Sequence, residues 1–192
     1  MHTIVYKQSP KIARRDSMHL VSGATISLDV GYKCYPNADS IGNRLEEQYT
    51  KEVLNLVIEK LNALGYKAID CTPWNEKFNF IGDSLSYRVR NINKLNSSLH
   101  LELSFHLYHK KAIECWVSSY GKAFKFAEKI LKEVSILNYY DRGVKLGENY
   151  LISHNKMPTI IIRLFFDESI ERCRKDELNA IATNIVKAIA SK

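Results

Sequence analysis

Thr159-Ile160-Ile161-Ile162-Arg163-Leu164-Phe165-Phe166 is an apolar run with one charge inside it, preceded by Met157-Pro158 and followed by Asp167-Glu168-Ser169. A short β-branched run bounded by turn-forming and polar residues has the signature of a strand buried on both faces, the kind found in parallel sheets covered by helices. The carboxyl ends of such strands are where α/β sheets gather their ligands. Arg163 therefore puts a permanent cation where chemistry is expected.

The rest of the chain supplies the partners such a strand needs. Residues 24–30 and 66–71 have strand character. In residues 99–107, Leu99, Leu101, Leu103, Phe105 and Leu107 alternate with His100, Glu102, Ser104 and His106, the period-two pattern of a strand. Residues 113–117 and 149–153 are shorter strand candidates, and the polar residues 138–147 have the composition of a loop. Between these runs, Leu45, Tyr49, Val53, Leu56, Val57, Leu61 and Leu64 recur at helical spacing, with Glu46 in the first turn and Gly65 as the stop. Ser84 is placed to cap a helix whose inward positions are Leu85, Val89, Ile92 and Leu95, leaving Arg88 and Arg90 on its other faces. Two more helices cover residues 121–137 and 175–190. Strands alternating with helices through short connections predict an α/β fold: one three-layer domain, with a mostly parallel twisted sheet of about six strands and helices on both faces. Residues 1–23 carry no sustained period and are expected to form a basic tail or accessory segment, with the domain spanning 24–192.

The chain has 192 residues, enough for one domain, and its 45% hydrophobic and 26% charged composition is that of an ordinary globular protein. No apolar run reaches the roughly 20 residues of a membrane helix, and the N-terminus lacks a signal-peptide core. The expected location is cytoplasmic as synthesised. Cys34, Cys71, Cys115 and Cys173 lie far apart without a CxxC spacing, which argues against a thiolate zinc knuckle or redox pair; Cys71 and Cys115 are expected to be packed thiols. Lys and Arg number 28 against 21 Asp and Glu, a net +7 that suits an anionic partner without choosing one. His100 and His154 are expected at the surface or a strand edge, Trp116 in packing, and Trp74 in packing or on a sugar-binding rim.

In order, the segments resemble the zinc-dependent N-acetylmuramoyl-L-alanine amidases of the amidase-3 type, most of all phage endolysin catalytic domains, over residues 24–190. In that family the first strand ends in a glycine–histidine step whose histidine binds zinc; Gly31-Tyr32 stands there. The zinc glutamate opening the next helix falls on Glu46, and the second zinc histidine, in a Ser-x-His pattern, on His106 of Ser104-Phe105-His106. Arg142-Gly143-Val144-Lys145 resembles the family's Arg-Gly-x-Lys turn and Met157-Pro158-Thr159 its Met-Pro-Ala strand entry. The catalytic glutamate of the last strand falls on Arg163.

The resemblance thus implies the fold but alters the site at two separated positions. Catalytic zinc takes three protein ligands and an open position for water. A phenol, with a reference pKa near 10, would have to deprotonate to replace imidazole. A guanidinium is neither acid nor base near neutral pH. About 4 Å from a divalent cation, at an effective dielectric near 20, it would oppose that ion by roughly 8 kcal/mol. The expectation is a degenerate amidase with weak or no zinc, in which Arg163 fills the metal position and pairs with Glu46, with Tyr32 and His106 completing a polar cluster. The resemblance implies peptidoglycan, a cell-wall fragment or a protein partner as ligand, and the cell wall as the location after release by lysis. The alternatives are an active zinc amidase using Cys34 or His109 as substitute ligand, and a basic adaptor for nucleic acid or another anionic ligand.

Overall fold

The computed structural model describes residues 20–31, 43–167 and 175–191. Six strands, β1 (Thr25–Val30), β2 (Lys67–Asp70), β3 (Leu99–Tyr108), β4 (Ala112–Val117), β5 (Tyr140–Leu146) and β6 (Thr159–Asp167), form one sheet in the order β2-β1-β3-β6-β4-β5. All neighbouring pairs are parallel except β4 with β6. Five helices accompany them: α1 (Asn43–Ala63), α2 (Ile81–Lys94), α3 (Lys122–Ser135), α4 (Tyr150–His154) and α5 (Lys175–Ala190). The three-layer α/β architecture read from the sequence is the one observed.

The two faces are unequal. The odd residues of β3 from Leu99 to Phe105 join Ile26, Leu28, Ile160, Ile162 and Leu164 in the main core, closed by Val53, Val57 and Leu61 of α1, Phe126 and Ile130 of α3, and Ile181 and Ile185 of α5. The opposite face is polar at its centre, with a small apolar cluster of Val89 and Ile92 from α2, Leu151 from α4, and Met157. Alternation along β3 accounts for this division, since its even residues must turn to the second face.

Three elements depart from the sequence reading. Residues 149–153, expected as a strand, begin α4, where the Asn149 side chain accepts from the Leu151 amide at 3.0 Å and caps it. Residues 140–146, expected as a loop, form edge strand β5, and so the Arg142-Gly143-Val144-Lys145 segment is strand, not turn. The strand is interrupted between Asp141 and Val144 by a register shift opposite Ile113 and Cys115. Gly143 lies in that shift at φ 83°, a conformation natural to glycine, with its amide held by Asp141 Oδ1 at 2.7 Å. Helix α2 starts at Ile81, so Ser84 is a buried residue within it and not its cap. The basic N-terminal segment lies outside the described residues up to residue 19. Its last residues belong to the domain: Leu20 is buried, and the Gly23 amide donates to Gly65 O at 3.0 Å.

Candidate functional site

The reversal of β4 creates the site. Because β4 runs against β6, its amino-terminal half lies beside the carboxyl half of β6, and Glu114 becomes the cross-strand partner of Arg163. On the other side of β6, Arg163 faces Ser104 and Phe165 faces His106 of β3. Strand β5, parallel to β4, adds Arg142 from its bulge. The Glu114 carboxylate collects three donors: Arg163 Nη1 lies 3.6 Å from Oε1, Arg142 Nε 3.3 Å from Oε2, and Trp116 Nε1 donates to Oε1 at 2.9 Å. The Glu114 side chain is only 6% exposed, whereas those of Arg163 and Arg142 are 37% and 35% exposed. Each guanidinium rests on an aromatic face, Arg163 Cζ 5.1 Å from the Trp116 ring and Arg142 Cζ 4.6 Å from that of Phe165. Trp116 fits because residue 147 is glycine; a Cβ there would come 2.8 Å from the indole Cζ3.

His106 flanks this cluster, and Glu46 meets the end of the neighbouring β3. Glu46, in the first turn of α1, accepts from the Leu107 amide at the end of β3 at 2.7 Å, and burial raises its carboxyl above the ordinary value. His106 Nε2 lies 3.3 Å from Ser104 Oγ, and its ring stacks on Phe165 with centroids 5.3 Å apart. Burial, and then the Arg163 charge, push the imidazole down to about 4, so it is neutral at pH 7.

The expected Arg163–Glu46 pair is not formed: Arg163 pairs with Glu114, while Glu46 is tied to the Leu107 backbone. The register of β4 against β6 supplies the reason, since it puts a carboxylate next to the guanidinium that the sequence order did not reveal. Tyr32 and Cys34 lie outside the described residues. His109 is exposed, its ring 3.9 Å from that of Tyr108. Among the described residues no three His, Cys, Asp or Glu side chains converge as a metal site requires. The donors described here, one carboxylate and one imidazole beside a guanidinium, do not fit catalytic zinc.

Sequence reasoning missed a second polar cluster, buried under α2. Arg88 is 4% exposed rather than on an outer face. It reaches Asp29 Oδ2 through Nη2 at 2.6 Å and Nε at 2.8 Å, Val30 O at 3.0 Å and Glu102 Oε2 at 3.3 Å. Burial alone would raise the Asp29 carboxyl, but Arg88 and then His100 outweigh it and hold that group below its ordinary value. Burial prevails at Glu102 and raises it. His100, expected at the surface, is fully enclosed: Nε2 lies 3.4 Å from Asp29 Oδ1 and Nδ1 3.0 Å from Ser27 Oγ, which accepts from Ser97 Oγ at 2.8 Å. Ser27, His100 and Asp29 have the composition of a nucleophilic triad, but all three are 0% exposed, so no substrate reaches them and the cluster is structural. The available signal was spacing: Arg88 lies four residues before Ile92, on the buried stripe of α2. His154 is exposed as expected. Trp74 packs against the core, donating to Asp70 Oδ2 at 2.6 Å under Lys51 Nζ. Trp116 lines the arginine cluster.

The comparisons with known proteins agree with this fold. The catalytic domain of the CD27L endolysin targeting Clostridium difficile superposes with a TM-score of 0.75 at 22% identity, over 86% of this chain and 96% of that one. The catalytic domain of CwlV, an amidase from Bacillus (Paenibacillus) polymyxa, gives 0.69 at 17% identity over 86% and 96%. The CwlD amidase from Clostridioides difficile, solved in complex with the GerS lipoprotein, gives 0.65 at 16% identity over the same shares. No curated protein sequence matches. The sequence profile of the N-acetylmuramoyl-L-alanine amidases of the amidase-3 type covers residues 26–191, and the chain belongs to that family.

Proposed function

We propose that this amidase-fold protein acts by binding cell-wall peptide and no longer hydrolyses it. The observation that carries the reading is the state of Arg163, which the resemblance sets at the family's catalytic glutamate: its guanidinium is paired with Glu114. Glu114 does not substitute as a base, because its carboxylate is engaged by Arg163, Arg142 and Trp116 Nε1. Zinc binding is weak or absent in this proposal, and the protein meets its ligand once lysis admits it to the wall. A groove at a sheet edge persists after catalysis is lost, because the strands and loops that shape it are also the fold.

The test is one preparation of purified protein assayed for metal content and for release of soluble fragments from purified peptidoglycan, with co-sedimentation on the same material. The expected result is co-sedimentation without release and without stoichiometric zinc. Release of fragments that a chelator abolishes overturns the proposal.

A further inference from the structure

Resting on that reading, we infer that Arg142 and Arg163 form a two-pronged receptor for a carboxylate, and that the ligand is a cell-wall peptide bearing a free carboxyl group. Each guanidinium has five N–H donors in a planar fork. Glu114 engages Nε of Arg142 and Nη1 of Arg163, and no other protein acceptor meets these two side chains among the described residues. Donors therefore remain on both, on side chains roughly a third exposed.

Their orientation is fixed from below. Glu114, buried and anchored by Trp116 Nε1, holds both arginines on one carboxylate, while the Trp116 and Phe165 rings support their planes. Two such forks held before a ligand arrives lose little side-chain freedom on binding it, which is the condition for tight oxyanion recognition. Charge selects the class of ligand. Two guanidiniums against one carboxylate leave the cluster at +1, which a monoanionic carboxylate neutralises. A phosphate dianion would leave excess negative charge next to Glu114. The planar fork also matches the planar carboxylate in geometry.

Muropeptides released from peptidoglycan by a muramidase, with their stem carboxyls intact or converted to carboxamides, provide the probe. Isothermal titration of the full chain is expected to give at least about tenfold tighter binding of the acid form, the span of a charge-assisted hydrogen bond. Arg142→Gln and Arg163→Gln should each remove most of that preference, lowering the affinity for the acid form much more than that for the carboxamide. Circular dichroism confirms folding, and Arg142→Gln, on the exposed edge strand, carries the test if Arg163→Gln unfolds. Equal affinity for acid and carboxamide, no binding of the acid, or displacement of the acid by inorganic phosphate or a single-stranded oligonucleotide overturns the inference. Hydrolysis of the muropeptides by the wild-type chain would instead overturn the binding-only function and leave the acid-to-carboxamide contrast to be judged on its own.

Discussion

Glu114 is the residue on which the site turns. Its removal as Glu114→Gln leaves two guanidiniums facing each other without their shared carboxylate; a loss of about 1–3 kcal/mol in urea denaturation is expected, toward the lower part of that range because solvent screens the partly exposed arginines. Arg163→Glu sets two carboxylates opposite each other in register, so it should be less stable than Arg163→Gln by about 1 kcal/mol, and Glu114→Gln in the same chain should restore that difference. Cys71 offers a separate check on the interior. Burial, with help from Asp29 and Asp70, pushes its thiol from 9.0 up to about 12. At pH 8 its thiolate is then roughly a thousandfold scarcer than in an unfolded chain, and alkylation of the Cys71 peptide, followed by mass spectrometry, should be slow until the protein unfolds. At this scale the sequence exposed Arg163 as anomalous and paired it with the wrong carboxylate. Glu46 stands out in the sequence only through the family resemblance. Glu114 sits in Ala-Ile-Glu-Cys-Trp-Val, where nothing local announces that an antiparallel neighbour will bring it to Arg163.

Helix α2 and strand β5 show what local pattern hides at the scale of elements. The long helices and the buried strands were legible because apolar residues recur at the period of each structure, and that period is imposed by burial. Strand β5 was not, because it lies at an exposed sheet edge and buries too little to need alternation. Residues 149–153 were misread because a short apolar run suits helix and strand equally, and a single cap decided the outcome. The same two elements carry measurable consequences. Arg88→Met strips the cation from between two buried carboxylates and should cost about 3–5 kcal/mol in chemical denaturation. The paired carboxylates then respond to acid with opposite signs. Asp29, held low, contributes stability that is complete above its ordinary 3.8 and is lost as pH falls through its folded value. Glu102, held high, favours the fold below its ordinary 4.5, and that contribution is lost as pH rises through its folded value. The stability of Glu102→Gln relative to wild type should therefore increase with pH from about 4.5 upward. At the end of β5, Gly147→Ala forces the indole of Trp116 away, with an expected loss of about 1–3 kcal/mol and a changed near-ultraviolet dichroism signal from the displaced ring.

For the whole molecule, the sheet order separates the apolar core from the polar site. The main core lies on the face of α1, α3 and α5, while the arginine cluster occupies the carboxyl end of the other face, so Arg163 lies apart from the main apolar core. No helix among the described residues is long and apolar enough to cross a membrane. Since the described donors do not make a zinc site, a chelator in excess should leave the thermal midpoint unchanged; a fall would mean that metal contributes to the folded state. The cross-strand register of Glu114 with Arg163 also ties the histories of the two positions together. A glutamate arriving at position 163 by one substitution faces the Glu114 carboxylate, so that step is penalised for as long as Glu114 keeps its charge. The two positions are epistatic: the charge tolerated at one depends on the charge held at the other.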